Sequence, residues 1–297
     1  MATVGAQLAG SDLRLPDPVH QALTLYLLLA IGMKGGVALS ATPVGEVAVP
    51  LAAAVLLGAA IPLWCYPVLR RFGRFGREDA GAIAAHYGSV SAVTFVAGLA
   101  WLGASGIAVE GYLPALLAVM EAPGIAIAVL LARRGRGGLG HVLHEVLAGR
   151  SIVLLIGGLL LGLLTGERGY APVSPFFADG FPGALTLFLL DMGVAAARRA
   201  RDVLRVGPFL IGFALLAPVA NGALGASVGT HAGLSPGGAT MLAVLAASAS
   251  YIAAPAAVRL ALPEANPAYA LTAALTVTFP FNLTLGLPLY AAMAGAA

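Results

Sequence analysis

The sequence predicts an all-α polytopic membrane protein. Hydrophobic residues make up 60% of its 297 residues and charged residues only 10%, where a soluble domain carries about 25% charged residues. Apolar stretches long enough to cross a bilayer, which takes about 20 residues, follow one another along the chain. The mean hydropathy is +0.94, and glycine (39) and proline (19) are abundant, as in transmembrane helices. The single cysteine, Cys65, excludes an intrachain disulfide and a cysteine-rich metal site. The pI near 9.2 does not point to nucleic acid, because the arginines sit in short connections between spans.

Spans are expected near 19–40, 45–69, 79–103, 112–132, 151–165, 182–197, 206–230, 238–260 and 268–295. The first follows the mixed, proline-containing stretch "SDLRLPDPVH", which has no small-residue cleavage site after a basic start, so a signal peptide is not expected. The second ends at the arginines 70 and 71. The third contains "HYGSVSAVTF", a run of small and polar residues inside an apolar span. The fourth holds Glu121 and Pro123, and the fifth reads "SIVLLIGGLLLGLLTG". The sixth holds Asp191. The eighth carries a second polar, small-residue run, "SASYIAAPAAVR", and the ninth a proline in "VTFPFN".

The basic residues set the orientation. Arg14, the clusters at 70–77, 133–150 and 198–205, and Arg259 all fall on one side of this topology, fourteen of the 16 basic residues; Arg168 alone lies opposite, and Lys34 is within a span. Cytoplasmic loops carry such an excess. The arginine-rich loops are therefore expected in the cytoplasm, the C-terminus outside, and the protein in the cell inner (cytoplasmic) membrane.

The chain also repeats itself. "ALTLYLL" from Ala22 returns as "ALTLFLL" from Ala184, an offset of 162 residues, which carries His86 onto Ser248; Pro123 and Pro280 pair at a similar offset. Matched segments in order argue for duplication, and the arginine pattern makes the paired spans run in opposite directions. Two inverted-topology repeats, 1–147 and 148–297, each of about five helices with broken helices at the midplane, are expected, an organisation of secondary transporters. The segment that should partner the fifth span, "MATVGAQLAG", is too short to cross, so the first helix of the first repeat reads as truncated.

The candidate substrate site follows from the two polar runs: Gly88, Ser89, Val90 and Ser91 in one, Ser248, Ala249, Ser250 and Tyr251 in the other. A helix broken there turns the positive N-terminal end of its second half toward an anion, and irregular backbone at this depth is tolerated only against protein or a wet cavity. Close packing of small residues is the competing reading. Glu121 and Asp191 are intramembrane carboxylates, which cost at least ~2.5 kcal/mol at the bilayer centre, and with Asn282 they are the cation-coupling candidates; an ion pair with Arg198 is the alternative for Asp191. Lys34 pairs with a carboxylate or reaches the interface. Thr276 and Thr278 are expected to bond back to their own helix. His141, His144 and Glu145 suit a solvated loop better than a metal, and no catalytic residue or cofactor is assigned. "GASG" around Ser105, with His231, is similar to the nucleophile motif of rhomboid intramembrane proteases, but sits in a connection. No phosphate loop or HExxH motif is present.

Taken together, "LAIGMKGGVAL", "YGSVSAVTF", "VMEAPG", "LAASASYIAAPAAVRLALPEANP" and the Pro280 helix resemble the sodium-dependent bicarbonate permease family across 5–295. The resemblance implies ten helices in two inverted repeats, a core and a gate domain, a homotrimer, a PII-like regulatory partner on the cytoplasmic side, and elevator-like movement of bicarbonate with Na⁺. The cyanobacterial members have an aspartate in place of Tyr251 and another in place of Glu121. A phenol can donate to an anion but is a poor cation ligand. Carriage of another small organic anion with Na⁺ or H⁺, the proton taken by Glu121, is the second expectation.

Overall fold

The computed structural model describes residues 15–134, 144, 147–198, 203 and 206–296. Helix accounts for 83% of it, with no strand among the described residues. The helices are α1 (Asp17–Ser40), α2 (Val44–Arg71), α3 (Arg77–Gly88), α4 (Ala92–Ala104), α5 (Leu113–Ala132), α6 (Arg150–Tyr170), α7 (Phe181–Arg198), α8 (Pro208–His231), α9 (Pro236–Ala247) and α10 (Ala253–Ala261). The last span, α11 (Pro267–Met293), includes wide π-type turns at Thr272–Thr278 and Asn282–Gly286.

Among the described residues, eight segments are long and apolar enough to cross a membrane, α3 and α4 counting as one. The eighth expected span, 238–260, is divided into α9 and α10, of 12 and 9 residues, each too short to cross alone. The expected spans 151–165 and 182–197 are longer than hydropathy suggests, Arg150–Val173 and Pro175–Arg198. Their intervening sequence stays helical because Pro172 and Pro175 fall in first turns, where the missing N–H has no partner to lose. Gly166, at φ 58° and ψ −163°, kinks the first of them within α6, a conformation open to glycine.

Burial is uneven along the chain, and packing divides the helices into two groups. The window through α3 and α4 is 83% buried and that through α5 72%, against 22% for the α6 span and 28% for the α7 span. α1 packs along α6 and touches α7, while α2, α3, α5 and the α8–α9 pair form the other group. In lipid there is no hydrophobic gain from bringing helices together, so close backbone approach supplies the cohesion. At Gly88 a Cβ would overlap Pro62 and lie 3.1 Å from the Cα of Gly124, and at Gly124 it would meet the Gly88 carbonyl. That crossing brings α5, and with it Glu121, against the end of α3.

Candidate functional site

Both polar runs break their helices. α3 ends at Gly88, Ser89 and Ser91 are extended, and α4 begins at Ala92. α9 ends at Ala247, Ser248 is extended (φ −77°, ψ 162°), and α10 begins at Ala253. The first-turn amides of α4 and α10 have no acceptor within their own helices. At each end a serine takes one of them: Ser91 Oγ accepts from Thr94 N at 3.1 Å, and Ser250 Oγ from Ala254 N at 3.1 Å.

The breaks also clasp each other. Ser250 N donates to the His86 carbonyl at 2.7 Å, and Ser91 N to Ser248 Oγ at 2.8 Å; Ser248 Oγ in turn donates to the Leu245 carbonyl at 2.8 Å. The carbonyl of Ala247, at the end of α9, accepts from Asn282 Nδ2 at 3.0 Å. Backbone groups orphaned by two broken helices are thus satisfied by one another and by side chains.

Between the two N-termini lies a cleft of about 10 Å³, room for roughly one water, lined by Val90, Ser91, Glu121, Ser151, Ser250 and Tyr251 among others. Two larger cavities meet it from the arginine-rich end. One of about 460 Å³ shares Tyr251 with the cleft. The other, of about 280 Å³, shares Ser151 and Ile252. Toward the opposite end an apolar narrowing of about 10 Å³, walled by Leu28, Ile31, Val93, Val96 and Phe188, adjoins the cleft.

A family model described as the Na⁺-dependent bicarbonate transporter superfamily matches residues 1–295. The chain belongs to that superfamily. No curated protein matches it. The superfamily's description gives bicarbonate as cargo and dependence on Na⁺.

The superfamily member's predicted residues divide by place. Val90, Ser91, Ser250 and Tyr251 line the cleft. Gly88 is a packing residue against Gly124, and Ser248 and Ala249 are buried beside the cleft without lining it. Ser89 is buried with a hydroxyl that has no hydrogen bond. The Tyr251 hydroxyl faces Ser91 and Thr94 without completing a hydrogen bond to either, and its ring packs edge-on to Phe279 at 5.4 Å.

The three cation-coupling candidates fare differently. Glu121 is 5% exposed, lines the cleft, and has no ion pair among the described residues. Asn282 stands outside the cleft with both amide atoms engaged: Nδ2 with Ala247, and Oδ1 accepting from Tyr290 Oη at 2.6 Å. Asp191 pairs with His20 rather than Arg198, Oδ2 to Nδ1 at 2.7 Å, and its Oδ1 accepts from Leu15 N at 3.3 Å. His20 stacks on Phe188 at 5.2 Å, and the pair lines the 460 Å³ cavity.

Two further expectations, for Thr276 and Thr278, need correction. Thr278 does not bond back within its helix; it donates to the Ala214 carbonyl at 2.7 Å and accepts from Tyr87 Oη at 2.7 Å. The Thr276 hydroxyl has no hydrogen bond at all. Lys34 pairs with no carboxylate among the described residues. His86 is buried with Nδ1 donating to the Ala82 carbonyl at 2.7 Å, so Nε2 is left without a partner. Ser105 Oγ donates to the Trp101 carbonyl, and His231 Nδ1 to the Ser227 carbonyl, so neither is poised on the other. His141 and Glu145 lie outside the described residues, and His144 is exposed. Ser151, Ile252 and His20 were not singled out by sequence. Ser151 follows an arginine at a helix start, which reads as a loop boundary, and only the fold brings it to the cleft.

Proposed function

We propose that the protein is a secondary active transporter that carries bicarbonate into the cell with Na⁺. The observation that carries this is the convergence of two helix N-termini, those of α4 and α10, on one cleft that holds an unpaired carboxylate. The positive ends of α4 and α10 favour a small oxyanion, with Ser91, Ser250 and the free Tyr251 hydroxyl as donors. Glu121 supplies the negative charge that suits Na⁺ beside it. The substrate site in this reading is Gly88–Ser91 facing Ser248–Tyr251, with Gly88, Ser89, Ser248 and Ala249 holding the breaks in shape.

The larger topology belongs to the same proposal. Residues 1–147 and 148–297 are inverted repeats, the arginine-rich end is cytoplasmic, and the access through the 460 and 280 Å³ cavities makes this conformation inward-facing. The group of α1, α6 and α7, in which α1 packs on the other two, is the gate against which the remaining helices slide in an elevator-like step. The exposed apolar side chains of α6, such as Leu160 and Leu164, suit lipid or the neighbouring copies of a homotrimer, and a PII-like partner would meet the arginine-rich face.

The test is uptake of labelled bicarbonate into proteoliposomes with and without an inward Na⁺ gradient. Accumulation only with the gradient is expected; no uptake of any kind by folded protein overturns the reading. The unpaired Glu121 favours a second reading, a small organic anion moved with H⁺. Replacing the Na⁺ gradient by a pH gradient separates the two. Under the first, E121Q lowers the sodium response of uptake by roughly tenfold or more; under the second, it abolishes uptake driven by the pH gradient.

A further inference from the structure

One charged side chain within a span is unused by this reading. Lys34 lies in α1, and three flanking glycines fix which way it faces. A Cβ on Gly32 would lie 3.1 Å from the Cα of Gly158, one on Gly36 would meet the α6 backbone at Leu163 N (2.7 Å), and one on Gly35 would overlap Pro114. Helix α1 is thus seated on α6 and α5 with no room to rotate. Lys34 is exposed and lines a cavity of about 290 Å³ at the end away from the arginine-rich loops, walled chiefly by Ile31, Phe95, Leu99, Phe177 and Phe181. Among the described residues no other ionisable side chain lines that cavity, and none forms an ion pair with Lys34.

The cavity sits on the transport path. It shares Ile31, Val96 and Leu185 with the apolar narrowing, and the narrowing shares Leu28, Ala92 and Ile252 with the cleft between the breaks. A fixed ammonium with apolar walls and no competing carboxylate focuses its field into the cavity and raises the local concentration of anions there. An ionisable residue kept within the membrane against its insertion cost is a functional candidate by default.

We infer that Lys34 is the capture residue for the transported oxyanion at the outer mouth of the pathway, a binding station ahead of the narrowing and distinct from the cleft. The inference rests on the transport reading above. It predicts an asymmetric effect: the ammonium helps anions arriving from its own side and is indifferent to those arriving through the arginine-rich cavities.

The experiment measures labelled bicarbonate flux in right-side-out and inside-out membrane vesicles containing wild type, K34Q or K34R. In right-side-out vesicles K34Q raises the half-saturating bicarbonate concentration by roughly tenfold while the maximal rate stays within about twofold, the pattern of lost ground-state binding. K34R keeps the wild-type value within about threefold because it keeps the charge. In inside-out vesicles the three proteins agree. An unchanged half-saturation in K34Q, or a loss confined to the maximal rate, overturns the inference. If K34Q fails to reach the membrane folded, K34C decides it. Treatment with 2-aminoethyl methanethiosulfonate, which restores a cation, recovers tight capture, whereas methyl methanethiosulfonate does not; equal effects of the two reagents overturn the inference. Cys65, at 0% exposure, is sealed from both. Wild-type vesicles that move no bicarbonate overturn the transport reading and this inference together, a result distinct from any difference between wild type and variant.

Discussion

The two broken helices reach the same cleft by different means. The first break is short, Ser89 to Ser91, and is wedged by contact as well as bonded: Gly88 has the α5 backbone at Gly124 directly against it, Ser91 Oγ caps the helix that follows, and Ser91 N donates to Ser248 Oγ. The second is longer, Ser248 to Ile252, and is held by hydrogen bonds: Asn282 on the Ala247 carbonyl, Ser250 N on the His86 carbonyl, and Ser250 Oγ on Ala254 N. Its Tyr251 has a hydroxyl with no partner. A break wedged by backbone contact can move only with the helix that wedges it. A break held by a few polar bonds can exchange one for a ligand. The first break is accordingly the fixed wall of the proposed site and the second the responsive one.

Substitutions at each break should separate these two modes. The largest effect is expected for G124V, whose side chain has to displace the Gly88 carbonyl. It should destabilise the protein by about 3 kcal/mol or more through overpacking, read as a lowered unfolding midpoint in detergent, and transport should be lost with it. N282L should cost less, about 1–3 kcal/mol for the buried Ala247 carbonyl and Tyr290 hydroxyl left unpaired. The same thermal measurement shows it, with residual transport. Y251F should be the mildest in stability, within about 0.5 kcal/mol, because the hydroxyl it removes makes no hydrogen bond; its effect should appear as a several-fold weaker half-saturation for bicarbonate. Equal destabilisation by G124V and Y251F would erase the distinction between wedged and bonded breaks.

Much of this architecture was legible in the sequence. Apolar length locates the spans, because it follows directly from the thickness of the bilayer. The small polar runs locate both breaks, with Gly88 helical rather than extended and Ile252 added at the second. Glu121 was legible because a carboxylate within a span is conspicuous wherever it lies. What the sequence hid is pairing across distance. Asp191 bonds to His20 from 171 residues away and Thr278 to Tyr87 from 191, while Arg198, one or two turns from Asp191, offered the nearer local partner. The clasp between Ser91 N and Ser248 Oγ has no local signature either. Asn282 reads as a ligand by type, but only the fold shows its amide committed to the end of α9.

Transport by proteins altered at the two cap serines tests most directly whether the two breaks form one substrate site. Labelled bicarbonate uptake is measured in proteoliposomes under an inward Na⁺ gradient for wild type, S91L and S250L, each confirmed as folded by a monodisperse elution profile in detergent. Loss of uptake in both variants, with the protein folded, is the predicted result. Normal uptake by both would contradict the assignment of the site to the paired breaks.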